Sequence, residues 1–355
     1  MDLSKYFRYK ILPIIFKFFF KREKVSETFL KGIKPKRIIM VKYHHKIGDL
    51  ILGTPAFRNL KNKFPYAQID FLAGEYNYPA VLNNCYINKI FIFKKMRGIK
   101  SIIYNIVLIN RLRKIKYDLG IIFSASSFSV TNALIGFFIN PSILIGLKSF
   151  RNLTDITSYL YNYEIELPEA RLNETLLYLK TVEPVVGSIK YKNEEIHLSK
   201  EEKERGYFLI KDLFKSKKIS FKIIGIHPGG TYIDRRWRIE NYINLINRIP
   251  KNFKILIFTG RDEDELIDYL ISKCDREVYK LPKELSFREI CAVQSYLYIF
   301  IGNDTGTLHS AAGVGTKVIG IYTSTEPEIW APLNKNFVAL KNPSVKEVLN
   351  YISLF

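Results

Sequence analysis

The sequence predicts an α/β protein made of two Rossmann-like halves, each a doubly wound parallel sheet, facing each other across a cleft. Three observations carry this. Apolar runs of strand length alternate with helix-period segments from residue 37 to 146, and again from 201 to 322. The rhythm lapses over residues 150–200. Each half's first strand opens into a polar, glycine-bearing loop, and in open α/β sheets ligands bind beyond the carboxyl ends of the strands. A chain of 355 residues has room for two ordinary domains. We expect a basic amphipathic segment over residues 1–35, a first domain over 36–190 and a second over 191–355.

Residues 37–42 form the first buried strand, and a loop runs on to Gly48. A helix is expected over 49–64, with Leu50, Thr54, Phe57 and Leu60 near helical spacing and Pro65 as its stop. Strands follow at 68–72, 89–93, 117–123 and 143–146, with a basic helix at 102–116 and another at 129–138. A helix near 172–182 and the polar stretch 190–195 make the connection. The second half begins with a helix over 201–215 and a strand over 221–226, then the turn His227-Pro-Gly-Gly230. A helix at 239–249, a strand at 254–258, an acidic helix start at 262–265 and a helix at 287–295 come next. The strand from Ile299 then enters the polar turn Asn303-Asp-Thr-Gly306, a small-residue helix begins, and a strand closes the unit at 318–322. The last helix, 345–355, carries an apolar stripe and is free to pack back on the first domain.

A hydrophobic content of 47% excludes disorder. The net charge of +21 implies an anionic partner: nucleic acid, acidic glycan or acidic membrane surface. Cys85, Cys274 and Cys291 have neither metal nor disulfide spacing and read as reduced thiols of a cytosolic protein. Residues 6–20 are apolar and aromatic but interrupted by Lys10, Pro13 and Lys17, too short for a span of about 20 apolar residues. On a helix, Lys10, Lys17, Lys21 and Lys24 share one stripe. Two readings compete: a helix lying in a membrane interface, and a helix packed on the protein's own surface.

Strand, glycine-containing turn and helix start is the geometry that binds phosphate, because the first helical N–H groups lack internal partners and the dipole is positive there. His309 lies one turn beyond Thr305, so both can face one site. An ordinary βαβ unit with Asp304 or Thr305 as a plain N-cap is the alternative. Gly313-Val-Gly-Thr-Lys317 lacks P-loop spacing, and no G-x-G-x-x-G follows a strand. Residues 262–265 read as a favourable first helical turn rather than a metal site, since no second acidic or His cluster supports one. Adjacent His44 and His45 point apart, which suits a solvated or acceptor-facing role better than metal ligation.

Ordered motifs in both halves resemble glycosyltransferase family 9, the heptosyltransferases that use ADP-heptose in lipopolysaccharide core synthesis. They are Ile47-Gly-Asp-Leu-Ile-Leu-Gly-Thr-Pro55, Leu60-Lys-Asn-Lys-Phe-Pro65 with Ile69-Asp-Phe-Leu72, His227-Pro-Gly-Gly230, Arg236-Trp237, Phe258-Thr-Gly260, Asp304-Thr-Gly-x-x-His309-x-Ala-Ala312, Tyr322-Thr-x-x-x-Pro327 and Trp330-Ala-Pro332. The resemblance spans roughly residues 36–335 and rests on order and spacing together. It implies a GT-B fold, an inverting transfer, no required metal and no cofactor.

The resemblance makes Asp49 the catalytic base. A free Asp, with a pKa of about 3.9, is ionised at neutral pH and can take the acceptor hydroxyl's proton; capping its helix is the alternative role. The leaving diphosphate needs positive partners. Gly229 and Gly230 let backbone N–H groups approach, Thr231 adds a hydroxyl, and Arg235, two positions before Trp237, supplies a planar cation. Arg236 is expected to face solvent or acceptor, and Trp237 to pack in the core. Asp304 would repel phosphate, so it fixes the loop or binds a sugar hydroxyl. Thr305, Gly306 and the following N–H groups take phosphate or heptose oxygens, with His309 as a ligand contact. Asp264 is expected to reach ribose hydroxyls. His45, Lys46 and Gly48 fall on the acceptor side, and the long basic N-terminus and the His pair depart from the family pattern.

The leading expectation is therefore an enzyme moving heptose from ADP-heptose to an anionic, lipid-linked glycan at the cytoplasmic face of the inner membrane, with no nucleic-acid partner. Two others stand beside it: the same fold with another donor or a protein acceptor, and a non-enzymatic basic nucleic-acid-binding protein, which would lack a recognisable module.

Overall fold

The computed structural model describes residues 22–43, 46–125, 129–148, 157–260 and 262–354. Contacts divide the chain into two units. The first holds strands β1 Arg37–Lys42, β2 Gln68–Gly74, β3 Lys89–Phe93, β4 Leu119–Ile122, β5 Ile143–Leu147 and β6 Tyr163–Ile165. All pair in parallel, in the order β3-β2-β1-β4-β5-β6. The second holds β7 Lys222–His227, β8 Phe253–Ile257, β9 Tyr279–Lys280, β10 Ile299–Asn303, β11 Lys317–Tyr322 and β12 Phe337–Lys341, again parallel, in the order β12-β11-β10-β7-β8-β9.

β-branched runs make these strands, and their period of two feeds two cores. Ile224, Ile226, Ile255, Ile257, Ile299 and Ile301 pack on one face with Trp237, Tyr242 and Leu245. Ile223, Leu256 and Phe300 pack on the other with Val293, Leu308 and Ala311. A sheet covered on both faces explains near-continuous apolar strands. The first unit's core gathers Ile39, Val41, Leu72, Leu108 and Tyr161.

The alternation predicted from sequence is present, with instructive departures. The helix expected over 49–64 is two helices, Ile47–Gly53 and Pro55–Lys63. Pro55 has no N–H for an ongoing ladder but suits a first helical position. The basic helix begins at Ile99, three residues before its expected start. Strands β6, β9 and β12 were not expected: β6 and β9 are only three and two residues long, and β12 is a sheet edge with only partly buried residues.

Two segments before residue 190 pack with the second unit, Ile47–Thr54 and Pro79–Asn83. Ile51 lies against Gly313, and Thr54 Oγ1 accepts from the Glu195 N–H at 2.9 Å. The last helix, Val345–Leu354, packs in the second unit, where Val348 and Ile352 fill the core beside Tyr242 and Leu245.

Residues 6–20, His44 and His45 lie outside the described residues. The Lys stripe does not extend to Lys24 as a helix. Residues 22–26 have no helical assignment, the Arg22 and Val25 N–H groups donate to Tyr159 and Asn162 carbonyls, and Lys24 pairs with Glu164 at 3.2 Å. Among the described residues no helix is long and apolar enough to cross a membrane.

Candidate active site

In the second unit, β7 and β10 are neighbours, with Gly302 opposite His227. The two loops that follow them therefore emerge side by side, at the point where strand order reverses, the usual ligand position in such sheets. Asn303 clasps them. Its Nδ2 donates to the Pro228 and Gly229 carbonyls, both at 2.8 Å. Its Oδ1 accepts from the Trp237 N–H and the Tyr242 hydroxyl, both at 2.9 Å. Trp237 is buried as expected, its indole N–H donating to the Pro343 carbonyl.

Sequence reasoning missed Glu263, and it organises the loop after β7. It is buried among backbone donors, accepting from Gly230 N–H at 2.7 Å and Gly260 N–H at 2.6 Å, and it pairs with His227 Nε2 at 3.1 Å. Burial pushes this carboxyl up, but His227's hydrogen bond and charge, with the two backbone donors, outweigh it and bring the pKa down to about 2. Gly229 makes room for this side chain: a Cβ there would lie 2.1 Å from the Glu263 carboxylate. Gly230 adopts φ +146°, which disfavours a side chain, and its N–H is committed to Glu263 instead of facing a diphosphate.

Asp264, expected at the ribose, is half-buried and ion-paired. It is tied to Lys283 and, at 3.2 Å, to Lys280, which hold its carboxyl below the usual value. Asp262 takes a left-handed conformation, φ +60°, in the turn before it. The acid of this run that turns inward is therefore Glu263. The signal available in sequence was topological: β8 neighbours β7, so its loop abuts the His227 loop.

The two arginines of this loop make different contacts. Arg236 is half-buried, and its Nε donates to the Gly230 carbonyl at 2.7 Å, which ties the side chain to this loop. Arg235 is half-buried, its guanidinium 4.7 Å from the centroid of the Tyr232 ring and 3.6 Å from Asp304 Oδ2. Thr231 is exposed on the same loop.

Asp304 is buried at the end of β10. Burial pushes its pKa up, but the His309 hydrogen bond and charge, then Thr325 and Arg235, win and hold it below the usual range. His309 Nε2 lies 3.4 Å from Asp304 Oδ1. Asp304 Oδ2 and His309 Nδ1 are buried with no hydrogen-bond partner among the described residues. Buried polar atoms are ordinarily satisfied, so this pair has capacity for a hydroxyl-rich ligand or water. Thr305 is the N-cap of the helix Gly306–Gly313 but makes no side-chain cap, its hydroxyl lying 3.4 Å from His227 Nδ1. The first N–H groups of that helix are not claimed by it.

The helix Ile47–Gly53 reaches this centre through Gly48, where a Cβ would meet Gly306 Cα and His309 Cδ2, each at 3.4 Å. Gly48 thus serves helix approach. Asp49 follows it in the first turn, partly buried, with no hydrogen bond or ion pair among the described residues. Lys46 is exposed just ahead. Of the residues predicted for the site, the second unit brings together Gly48, Asp49, Gly229, Gly230, Thr231, Arg235, Asp304, Thr305, Gly306 and His309. It leaves Asp264 aside, and His45 lies outside the described residues. Among the described residues no three His, Cys, Asp or Glu side chains converge as a metal site.

Comparison with known proteins gives the family and the fold. Residues 106–348 match the family model of glycosyltransferase family 9 (heptosyltransferase). Lipopolysaccharide heptosyltransferase 3 of Escherichia coli is 23% identical over 82% of this chain and 85% of its own length. A solved family 9 glycosyltransferase from Veillonella parvula superposes with TM-score 0.74 at 17% identity, covering 90% of this chain and 89% of that one. The Escherichia coli ADP-heptose lps heptosyltransferase II gives 0.71 at 17% identity, covering 90% and 98%. The architecture is thus the GT-B fold of these structures. With its motifs in family order and the family model matched over most of its length, the chain belongs to glycosyltransferase family 9, the heptosyltransferases, and is a glycosyltransferase.

Proposed function

We propose that the enzyme transfers heptose from ADP-heptose to a lipopolysaccharide-core acceptor, with inversion and without a metal, at the cytoplasmic face of the inner membrane. Membership of a glycosyltransferase family removes the non-enzymatic reading. The observation that supports the proposal most is the packing of Gly48, the residue before Asp49, on Gly306 and His309. In the reaction Asp49 takes the acceptor hydroxyl's proton as its oxygen bonds to the anomeric carbon. The bond from that carbon to the diphosphate oxygen breaks on the opposite face, and ADP departs with the electron pair. Asp304 and His309 accept and donate to heptose hydroxyls. Arg235, Thr231 and the N–H groups opening the helix Gly306–Gly313 meet the diphosphate charge.

The likeness to the Escherichia coli ADP-heptose lps heptosyltransferase II and to lipopolysaccharide heptosyltransferase 3 supports this donor and acceptor class. Product analysis with ADP-heptose and defined core acceptors tests it. A heptosylated core confirms the reading, whereas transfer only from another nucleotide sugar, or only to protein, overturns it.

Three outcomes follow for the donor side. Arg235→Ala weakens ADP binding by about 1.5–3 kcal/mol, the scale of a charged hydrogen bond, measured by titration calorimetry. Arg236→Ala acts instead through the Gly230 loop it holds, so its larger signature is lost thermal stability. Activity persists in EDTA, because arginine and helix N–H groups supply the positive charge. Loss in chelator with recovery on adding Mg²⁺ or Mn²⁺ would contradict that assignment.

A further inference from the structure

The helix Ile99–Ile115 is apolar on two opposite faces. Its inner face buries Asn105, Leu108 and Leu112 in the first unit. Its outer face carries Ile99, Ile102, Ile103, Ile106 and Val107, spaced i, i+3, i+4, i+7 and i+8, the pattern of a helix stripe made for burial. They are exposed by 74%, 42%, 55%, 54% and 61%, and Met96 just before the helix by 57%. Single exposed apolar residues need no explanation, but a continuous stripe does.

Charge says what covers it. Residues 89–117 contain no Asp or Glu. Lys94, Lys95, Arg97 and Lys100 flank one end of the stripe, and Arg111, Arg113 and Lys114 the other, all exposed. A second copy of this chain docking by two-fold symmetry would set these cations against themselves. The chain's own residues 1–21 hold Lys5, Arg8, Lys10, Lys17 and Lys21 against Asp2, so they are also basic. An anionic bilayer satisfies both features: headgroups take the cations and the acyl boundary takes the isoleucines.

We propose that this outer face is the surface by which the enzyme docks on an anionic membrane. The proposal rests on the lipid-anchored acceptor reading for its purpose, but its test needs no acceptor or donor, so the two can fail separately. Full-length protein is expected to co-sediment with phosphatidylglycerol-containing vesicles, far less with pure phosphatidylcholine, and less in high salt. Ile103→Glu combined with Val107→Glu should cut that binding about tenfold or more, since two apolar insertions become two charges facing anionic lipid. ADP binding should be unchanged. As a measurement independent of that variant's folding, Ile106→Cys in a Cys85→Ser, Cys274→Ser background can carry a polarity-sensitive fluorophore. Its emission should shift to the blue on anionic vesicles only. Vesicle binding equal to the parent's in the double variant, or no shift in the label, overturns the proposal. So does a label already shifted without vesicles, whether in step with protein concentration or reversed by deleting residues 1–21.

Discussion

Asp49→Asn is expected to lower turnover about 10²–10⁴-fold while leaving ADP affinity unchanged, the range for removing a general base. The substitution keeps the side chain's size and removes its ability to accept a proton. Asp49 makes no hydrogen bond or ion pair among the described residues, so the fold should lose little. Single-turnover kinetics and ADP titration on the same preparation separate the two quantities. A near-normal kcat would reduce Asp49 to a first-turn acid favouring its helix dipole. Weakened ADP binding without a turnover effect would assign it to the donor instead.

Glu263→Ala should destabilise the second unit by about 3 kcal/mol or more, because several buried donors lose their acceptor at about 1–3 kcal/mol each. It leaves His227 without its partner and the Gly230 and Gly260 N–H groups without an acceptor. Denaturant unfolding measures the loss, and ADP affinity should fall with it as the loop after β7 loosens. Glu263→Gln separates shape from charge. The folded carboxyl titrates at about 2 rather than 4.5, so its contribution is fully present above pH 4.5 and is lost as pH falls toward 2. The Gln variant should lack that part of the acid limb of the stability profile. An unchanged profile would show that Glu263 adds no pH-linked stability.

Much of this protein was legible locally. Runs such as Lys222–His227 and Ile299–Asn303 read as strands buried on both faces, and they are so. Trp237 was read as core and lies there. Short pieces were not legible. Two residues at Tyr279–Lys280 have no periodicity to detect, and their pairing comes from β8.

The amino-acid sequence by itself determined the two-unit α/β plan and, through the order and spacing of its motifs, membership of glycosyltransferase family 9. Those follow from hydrophobic period, turn chemistry and motif order, which are properties of neighbouring residues. Only the tertiary structure decided which acid of 262–265 turns inward, that Gly229 makes room for a carboxylate, and that Arg236 holds a carbonyl. It also decided that the segment bearing Asp49 packs on the second unit, and that the Ile99–Ile115 helix keeps an apolar face outward. These depend on which loops the parallel pairing of β7, β8 and β10 brings side by side, and on which helix faces find a partner, and no local pattern encodes either.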